Sequence, residues 1–377
     1  GVWHLKETPA SVQPDFFDST SQSNDASSTG AMLATDQQGG KVDGALNFDG
    51  TNDYLNANDN ASLDFGDTAD FTLSAWINRD TFTTGDFIIH KRSGTTLGYN
   101  FRIASADDIE CVFEDAAGDN FELDSTTPNL ITASGWNYVV CVWNQDSAPG
   151  TELFLNGTDV NATQSGTIGL IGDLSNTLPF RIGADNTGAN PFDGRIDEVR
   201  VENIARQGSD ILTMYRNMNA TSTFYTVGSQ EGRRSTVRLG ATPATTPAST
   251  WYSPSWQYRR TVTLLASGVS GDKIATTTAV GSANFPTLVS FSDTSLTSLM
   301  ASDCTDALFT QANGTTKLNH EVESCNKTTG EFNAWVNTAM SSSTDTVIYM
   351  YYGGYGDQQN VRGTWEEEYK GVWHLKE

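Results

Sequence analysis

Phe71-Thr72-Leu73-Ser74-Ala75-Trp76-Ile77 is one of a series of short, apolar-rich runs that read as β-strands. Runs of the same kind are Ala45–Phe48, Asp86–His90, Tyr99–Ile103, Trp136–Trp143, Glu152–Leu155 and Phe180–Gly183. Gly, Asn and Asp residues separate these runs, and Asn156-Gly157 is a strong hairpin signal. Only one short helix is predicted, from Gln207 to about Asn217. The sequence therefore predicts an all-β protein.

Length and charge limit the function classes that fit. The chain has 377 residues, enough for two domains with full cores. Its 46 acidic residues exceed its 22 basic residues and give a net charge of −24, which disfavours nucleic acid and anionic membranes as partners. Excess Asp is compatible with calcium binding and equally with a soluble, self-repelling surface. No part of this segment is expected to insert into a membrane.

The same heptad, Gly-Val-Trp-His-Leu-Lys-Glu, occupies residues 1–7 and 371–377. Its alternation of apolar and polar residues is typical of a half-buried strand. A spacing of 370 residues (371 − 1) fits one period of a repeating array in which 371–377 is the first strand of the next repeat. The alternative is a domain-opening motif that occurs twice in a finite protein. The residues expected at the subunit junction are Val2, Trp3, Leu5, Val372, Trp373 and Leu375.

Composition divides the chain into segments. Residues 1–228 carry the first set of strands, and residues 229–250 form a Thr/Pro-rich linker. A second, smaller β-sandwich is predicted over 251–370, with strands that include Tyr258–Leu264 and Thr346–Tyr352. We therefore expect two β domains joined by an extended linker.

Four cysteines occur without the spacing of a zinc or redox site. Cys111 and Cys141 lie in separate strand-like runs, and Cys304 and Cys325 bracket a short polar segment of the second half. Two disulfides within domains are the favoured pairing, each contributing about 3 kcal/mol by loop closure. Such disulfides indicate an extracellular or cell-surface location.

Three motifs in the first segment resemble the laminin-G-like, concanavalin-A-like domains of bacterial surface proteins. They are Leu46–Leu55 (Leu-Asn-Phe-Asp-Gly-Thr-Asn-Asp-Tyr-Leu), Phe71–Ile77 and Phe192–Arg200 (Phe-Asp-Gly-Arg-Ile-Asp-Glu-Val-Arg). The resemblance implies a jelly-roll sandwich over residues 1–228.

The second segment resembles a bacterial β module that often stands directly before such jelly rolls. The matching stretches are Trp256–Val262, Phe285–Val289, Ala334–Val336 and Ile348–Gly353. In that arrangement the module runs into a Gly-Val-Trp-His-Leu segment, as this chain does at residue 371.

Laminin-G-like domains often hold a structural calcium ion, and hard oxygen ligands are available at Asp18, Asp49, Asp53, Asp197 and Glu198. A calcium ion there would tie the sandwich shut where its first and last strands meet. The alternative is that these acids cap turns and pair with Arg195 or Arg200.

No catalytic site is predicted. Glycosidases of the laminarinase type share the fold and carry Glu-x-Asp-x-x-Glu on one strand. The nearest match starts at Glu122-Leu123-Asp124 but has Thr127 in place of the second Glu. We therefore expect a protein that is not an enzyme.

The primary prediction is a structural repeat unit of an extracellular filament or giant tandem-repeat surface protein. Its units would join head to tail through the heptad strand, so the chain's partner would be another copy of itself. The alternative is a carbohydrate-binding, lectin-like adhesin module, or a non-catalytic part of a polysaccharide-degrading enzyme, with glycans as partners. Calcium is the one cofactor expected.

Overall fold

The computed structural model of the chain describes residues 2–4, 9, 14–29, 32–81, 85–93, 97–104, 108–125, 131, 135–145, 147–160, 162–233, 251–271, 285–302, 304–354, 356, 358–365 and 367–374. It divides into two compact units. Unit 1 comprises Gly1–Tyr215 and Trp365–Glu377, and unit 2 comprises Arg216–Thr364. The borders between these units lie at 215/216 and 364/365, whereas the sequence predicts borders at 228 and 370. The predicted domain borders stay predictions. Most of the predicted linker, residues 234–250, lies outside the described residues.

Two sheets account for the described strands of unit 1. The first, sheet A, has nine strands. Its central strand β16 (Asp193–Glu202) pairs with β6 (Phe71–Arg79) along one side. Along its other side, β16 pairs first with β4 (Gly44–Asp49) and then with β26 (Tyr369–His374). Its strands are β1 (Val2–His4), β3 (Gln37–Gly39), β4 (Gly44–Asp49), β6 (Phe71–Arg79), β11 (Asn137–Trp143), β12 (Glu152–Leu155), β13 (Thr158–Asp159), β16 (Asp193–Glu202) and β26 (Tyr369–His374).

Sheet B has eight strands in the order β14-β10-β9-β8-β7-β15-β5-β2. They are β2 (Ala26–Thr29), β5 (Tyr54–Ala57), β7 (Phe87–Arg92), β8 (Gly98–Ile103), β9 (Ile109–Glu114), β10 (Asn120–Asp124), β14 (Thr163–Gly166) and β15 (Phe180–Ile182). Each pairing between neighbours in this sheet is antiparallel. The two sheets confirm the predicted all-β class and jelly-roll sandwich.

The core of unit 1 contains the apolar side chains that alternate along both sheets. Aromatic rings dominate its centre, where Phe65 stacks on Phe71 with ring centroids 4.0 Å apart and Phe113 lies 4.2 Å from Trp143. The disulfide between Cys111 on β9 and Cys141 on β11 joins sheet B to sheet A through this core. The favoured pairing of the cysteines is therefore present in unit 1.

Turn chemistry explains the connection from β12 to β13. Asn156 and Gly157 adopt φ values of 52° and 78°, the left-handed region that a two-residue hairpin of this type requires. The predicted hairpin at Asn156-Gly157 is confirmed.

Unit 2 contains a six-stranded and a three-stranded sheet among its described residues. The larger sheet consists of β17 (Tyr225–Val227), β18 (Glu231–Gly232), β19 (Tyr258–Leu264), β21 (Leu308–Gln311), β22 (Lys317–Leu318) and β25 (Thr346–Tyr352). The smaller one consists of β20 (Phe285–Ser292), β23 (His320–Asn326) and β24 (Glu331–Thr338). A disulfide joins Cys304 to Cys325 of β23, as the sequence favours.

Four α-helices occur in the described ranges: α1 (Gly208–Asn219), α2 (Thr221–Phe224), α3 (Leu296–Leu299) and α4 (Val361–Thr364). The predicted helix from Gln207 to about Asn217 corresponds to α1. Across the part of the chain that is described, no helix combines the length and apolar character needed to span a membrane.

Candidate functional site

A row of polar residues crosses the whole outer face of sheet B. Strand register places one residue of each of the eight strands in this row, and seven of the eight are polar. The core-facing neighbours on the same strands are apolar, for example Leu55, Ile89 and Phe101. In strand order, the outer row consists of Ser27, Asn56, Arg181, His90, Asn100, Val112, Glu122 and Ser165.

The middle of this row is closely packed. His90 and Asn100 are both buried, and the side-chain oxygen of Asn100 has no hydrogen-bond partner among the described residues. Burial lowers the pKa of His90 to about 4, and nearby arginine guanidinium groups also lower it. His90 is therefore neutral at physiological pH, and the buried centre of the row carries no net charge from histidine.

Carboxylates beside the row are paired with arginine. Arg102 donates from Nε to Glu110 at 2.6 Å, and Arg92 pairs with Glu114. Burial raises the pKa of Glu110, while Arg102 lowers it. Glu122 and Asp124 share a face of β10, but the third position of the glycosidase pattern is Thr127. Among its described residues, this part of sheet B carries carboxylates that are paired with arginine.

An open cleft lies at the β2 edge of sheet B. Its volume is about 470 Å³, within the range of roughly 300–1,000 Å³ typical of small-molecule sites. Ser27 belongs both to the polar row and to the cleft, so the two are continuous. We call this feature the edge cleft; its lining residues are Pro14, Ser23, Asn24, Asp25, Ser27, Asn58, Asp59 and Asn60.

Hydrogen bonds hold the walls of the edge cleft in place. The Asn60 side chain accepts from the Ser62 N–H at 3.0 Å and caps the short 3-10 helix Ala61–Leu63. Asn24 donates to the Ser62 hydroxyl at 3.0 Å. The buried Lys91 ammonium lies 2.8 Å from Asp59, which anchors the segment that carries Asn58 and Asn60. The cleft is thus lined by amide and carboxylate groups on fixed backbone.

The acids predicted to bind calcium accept hydrogen bonds from backbone N–H groups or pair with arginine. Asp49 accepts from the Thr51 N–H at 2.8 Å, and Asp53 accepts from the Asp49 N–H at 3.2 Å, so both shape the turn after β4. Asp18 is buried and accepts from the Val372 N–H at 3.2 Å. Burial raises the pKa of Asp18 to about 6.

Asp197 and Glu198 lie at an irregularity in β16. The strand shifts register between Asp197 and Arg200, and Glu198 adopts a φ of 53° there. Asp197 accepts from the Lys41 N–H at 2.8 Å, and burial together with the Glu198 charge raises its pKa. Glu198 pairs with Arg200 at 2.5 Å. The pairing with Arg200 is the alternative that the sequence left open for these acids.

Within the described ranges, no group of three or more His, Cys, Asp or Glu side chains is arranged to hold a metal ion. Calcium binding by Asp18, Asp49, Asp53, Asp197 and Glu198 stays a prediction.

The residues expected at a subunit junction lie partly in sheet A. Val372 and Trp373 are buried in β26, next to β16. The backbone of Val2 and Trp3 forms β1, which pairs with β26. Leu5 and Leu375 lie outside the described residues.

Sequence reasoning missed both the polar row and the edge cleft. The row depends on the register between strands, which the sequence of a single strand does not reveal. The sequence does show that Asn56, Asn100 and Glu122 each stand between two apolar residues. The cleft has a local signal, the run Asn58-Asp59-Asn60 directly after a strand.

Residues 49–212 match the family model described as the concanavalin A-like lectin/glucanases superfamily. This segment covers the strands from β5 to β16 and confirms the resemblance of the first segment to laminin-G-like, concanavalin-A-like domains. No curated protein matches the chain.

Several solved structures are similar to the chain. The binding domain of botulinum neurotoxin serotype G has 11% identity and a TM-score of 0.44 over 55% of this chain, which spans 50% of that domain. A second similar structure is domain 4 of AbnA, a GH43 extracellular arabinanase from Geobacillus stearothermophilus, in complex with arabinotriose. It has 16% identity and a TM-score of 0.38, and the match covers 50% of this chain and 86% of that domain. The binding domain of Paraclostridial Mosquitocidal Protein 1 has 13% identity and a TM-score of 0.44 over 99% of this chain and 98% of its own. At these scores the likenesses carry no conclusion about function.

Proposed function

We propose that this chain, whose residues 49–212 belong to the concanavalin A-like lectin and glucanase superfamily, is a non-catalytic carbohydrate-binding module that acts outside the cell. The observation that carries the proposal is the edge cleft, an open polar cavity continuous with the polar row of sheet B. The two disulfides support the extracellular location, because such bonds persist in oxidising compartments.

The chemistry of the edge cleft suits sugar hydroxyl groups. Asn side chains offer both donors and acceptors, and carboxylates accept from hydroxyl donors. Five of its eight lining residues are Asn or Asp. A cleft with so little apolar surface binds through hydrogen bonds, so specificity follows from the placement of hydroxyl groups on the ligand.

Charge favours neutral glycans. The chain carries a net charge of −24, and Asp25 and Asp59 line the cleft itself. Uronic acids and sulfated sugars would be repelled both at long range and inside the cleft. We therefore propose neutral oligosaccharides as the ligand class.

Binding is proposed without hydrolysis. Glu110, the acid opposite Asp124 in the strand register, is held by Arg102, and Thr127 occupies the position of the second Glu in the glycosidase pattern. A retaining mechanism needs a nucleophile and an acid about 5–5.5 Å apart. Electrophoresis in gels containing a neutral polysaccharide should slow the chain, while an assay for reducing ends should detect no product. Release of reducing ends would overturn the non-catalytic part of the proposal, and unchanged mobility in every neutral polysaccharide would overturn the binding part.

A second candidate function is a repeat unit of an extracellular filament or tandem-repeat surface protein. The observation that favours it is the heptad shared by residues 1–7 and 371–377, one copy of which contributes a buried strand to unit 1. Native material that stays far above 40.8 kDa after boiling in denaturant and reductant would support a covalent array. A band at the mass of the single chain would exclude the covalent array.

A further inference from the structure

The second copy of the duplicated heptad contributes an internal strand to sheet A. Strand β26 lies between β16 and β1, so it is an internal strand of the sheet. Its pairing with β16 is antiparallel and sets Trp373 opposite Val199 and Val372 opposite Arg200. We call this position between β16 and the sheet edge the strand slot.

Contacts in the strand slot are specific for Gly-Val-Trp. Trp373 is buried and stacks on Phe180, with ring centroids 5.1 Å apart and an interplanar angle of 12°. The Val372 N–H donates to Asp18 at 3.2 Å. A side chain at Gly371 would bring its Cβ within 2.3 Å of the Trp373 ring, so only glycine fits. Gly-Val-Trp occurs in this chain at 371–373 and again at 1–3.

The second copy lies directly beside the first. Strand β1 runs parallel to β26, and the two copies pair residue for residue, with Val2 opposite Val372 and Trp3 opposite Trp373. Both copies therefore run in the same direction relative to β16. If β1 moved inward by one strand spacing of about 4.8 Å, Trp3 would face Val199 in the register that Trp373 now has.

From this arrangement we infer that β26 is an exchangeable strand and that its second partner is the strand slot of another copy of this chain. When β26 leaves, β1 replaces it within the same chain, because the slot accepts the same three residues. The released β26 then enters the strand slot of the next copy and returns that copy's β1 to the sheet edge, where it lies beside the incoming strand as it lies beside its own β26. The partner's site makes the same contacts that β26 makes at home, as in domain swapping.

The duplicate strand removes the usual obstacle to such an exchange. Opening a swapped element normally leaves an apolar slot exposed to water, and that exposure makes the opened state rare. Here β1 covers the slot while β26 is away. Because the contact joins two different surfaces, the assembly is head to tail, and it adds copies one after another unless the rotation between copies closes a ring. This inference does not depend on glycan binding, and it supplies a noncovalent junction for the repeat-unit function.

The first experiment compares Trp3→Ala, Trp373→Ala and the double variant in the full chain by thermal unfolding. Loss of one copy should lower the melting temperature of unit 1 only slightly, because the other copy fills the slot. Loss of both should lower it by about 10 °C, the scale of a buried Trp truncation in a domain of this size. Trp76→Ala is the matched control, since this buried tryptophan has no second copy and its effect should be the same with and without Trp3→Ala. If Trp373→Ala alone loses as much as the double variant, or fails to fold alone, the inference is overturned.

The second experiment measures assembly by sedimentation velocity after incubation at high concentration near the start of unfolding. The wild-type chain should form a ladder of head-to-tail oligomers. Trp373→Ala should stay monomeric, because its released strand lacks the tryptophan that fills the partner's slot, whereas Trp3→Ala should form the ladder more slowly, because its β1 covers the opened slot less well. A wild-type chain that stays monomeric throughout, or a double variant that still forms the ladder, would overturn the assignment of a second copy as partner.

Discussion

Replacing Lys91 with methionine tests whether a buried ammonium group holds the wall of the edge cleft. Lys91 lies on β7 with its side chain fully buried. Its Nζ lies 2.8 Å from Asp59 and 3.0 Å from Asp64, and it donates to the carbonyl groups of Asn176 at 2.9 Å and Leu178 at 3.0 Å. Methionine keeps much of the shape of the side chain and removes the charge and these donors.

The size of the effect follows from the partners that remain. Breaking a fully buried ion pair by removing one member costs roughly 3–5 kcal/mol. The partner carboxylates of Asp59 and Asp64 are 36% and 21% exposed, so water can solvate them in part. We therefore expect a loss near the lower end, about 3 kcal/mol in the free energy of unfolding. For a unit of this size that corresponds to a melting temperature lower by about 6–12 °C.

Urea unfolding followed by circular dichroism measures this loss. Asp59→Asn is the control, because it leaves the contacts of Lys91 with Asp64 and with both carbonyl groups intact. It should lower the free energy of unfolding by only about 1 kcal/mol. Lys91→Met should also weaken glycan binding, since Asp59 anchors the segment of Asn58 and Asn60. A Lys91→Met chain within 1 kcal/mol of wild type, or an Asp59→Asn loss as large as that of Lys91→Met, would show that the buried ammonium group does not hold the wall of the edge cleft.

Three further predictions concern the stability of unit 1. Cys111→Ala/Cys141→Ala should lower the free energy of unfolding by about 4 kcal/mol, because the disulfide closes a loop across a separation of 30 residues; an unchanged urea midpoint would contradict this. The pKa of His90 is about 4 when folded against 6.5 for an ordinary histidine, so the unfolded chain binds the extra proton between these values and stability falls as the pH drops from 6.5 to 4. The loss should approach about 3 kcal/mol in the wild-type chain and be absent from the pH profile of His90→Gln. Identical pH profiles for the two proteins would argue against it. Gly194→Ala should destabilise by several kcal/mol, because Gly194 has a φ of 133° and the added Cβ would lie 2.4 Å from the Asn78 carbonyl oxygen. Gly66→Ala, whose Cβ meets nothing within 4 Å, is its control, and equal melting temperatures for both variants would oppose the prediction.

Much of the fold follows from local patterns in the sequence. The alternation in Phe71–Ile77, the Asn156-Gly157 turn and the helix near Gln207 each depend on residues close together in the chain. Such features are fixed by backbone preferences and by the local alternation of apolar residues, so they can be predicted without knowing the tertiary contacts.

The site depends on contacts that are distant in sequence. Asp18 receives the N–H of Val372, 354 residues away, and Asp197 receives those of Lys41 and Val42. The sequence displays the carboxylates but not the backbone donors that meet them, so these hydrogen bonds cannot be predicted from it. The polar row needs the register of eight strands, and the strand slot needs the knowledge that β1 and β26 lie side by side.

Titration of the full chain with the neutral oligosaccharide that binds best on a glycan array tests whether the edge cleft binds glycans. Asn58→Ala is the informative variant, because Asn58 is exposed, lines the cleft and makes no hydrogen bond to another described residue. Loss of one hydrogen bond of about 1 kcal/mol should weaken affinity about fivefold. Asn52→Ala, at an exposed asparagine outside the cleft lining, should bind like wild type. Equal affinities for wild type and Asn58→Ala, or no neutral glycan bound at all, would contradict glycan binding in the edge cleft.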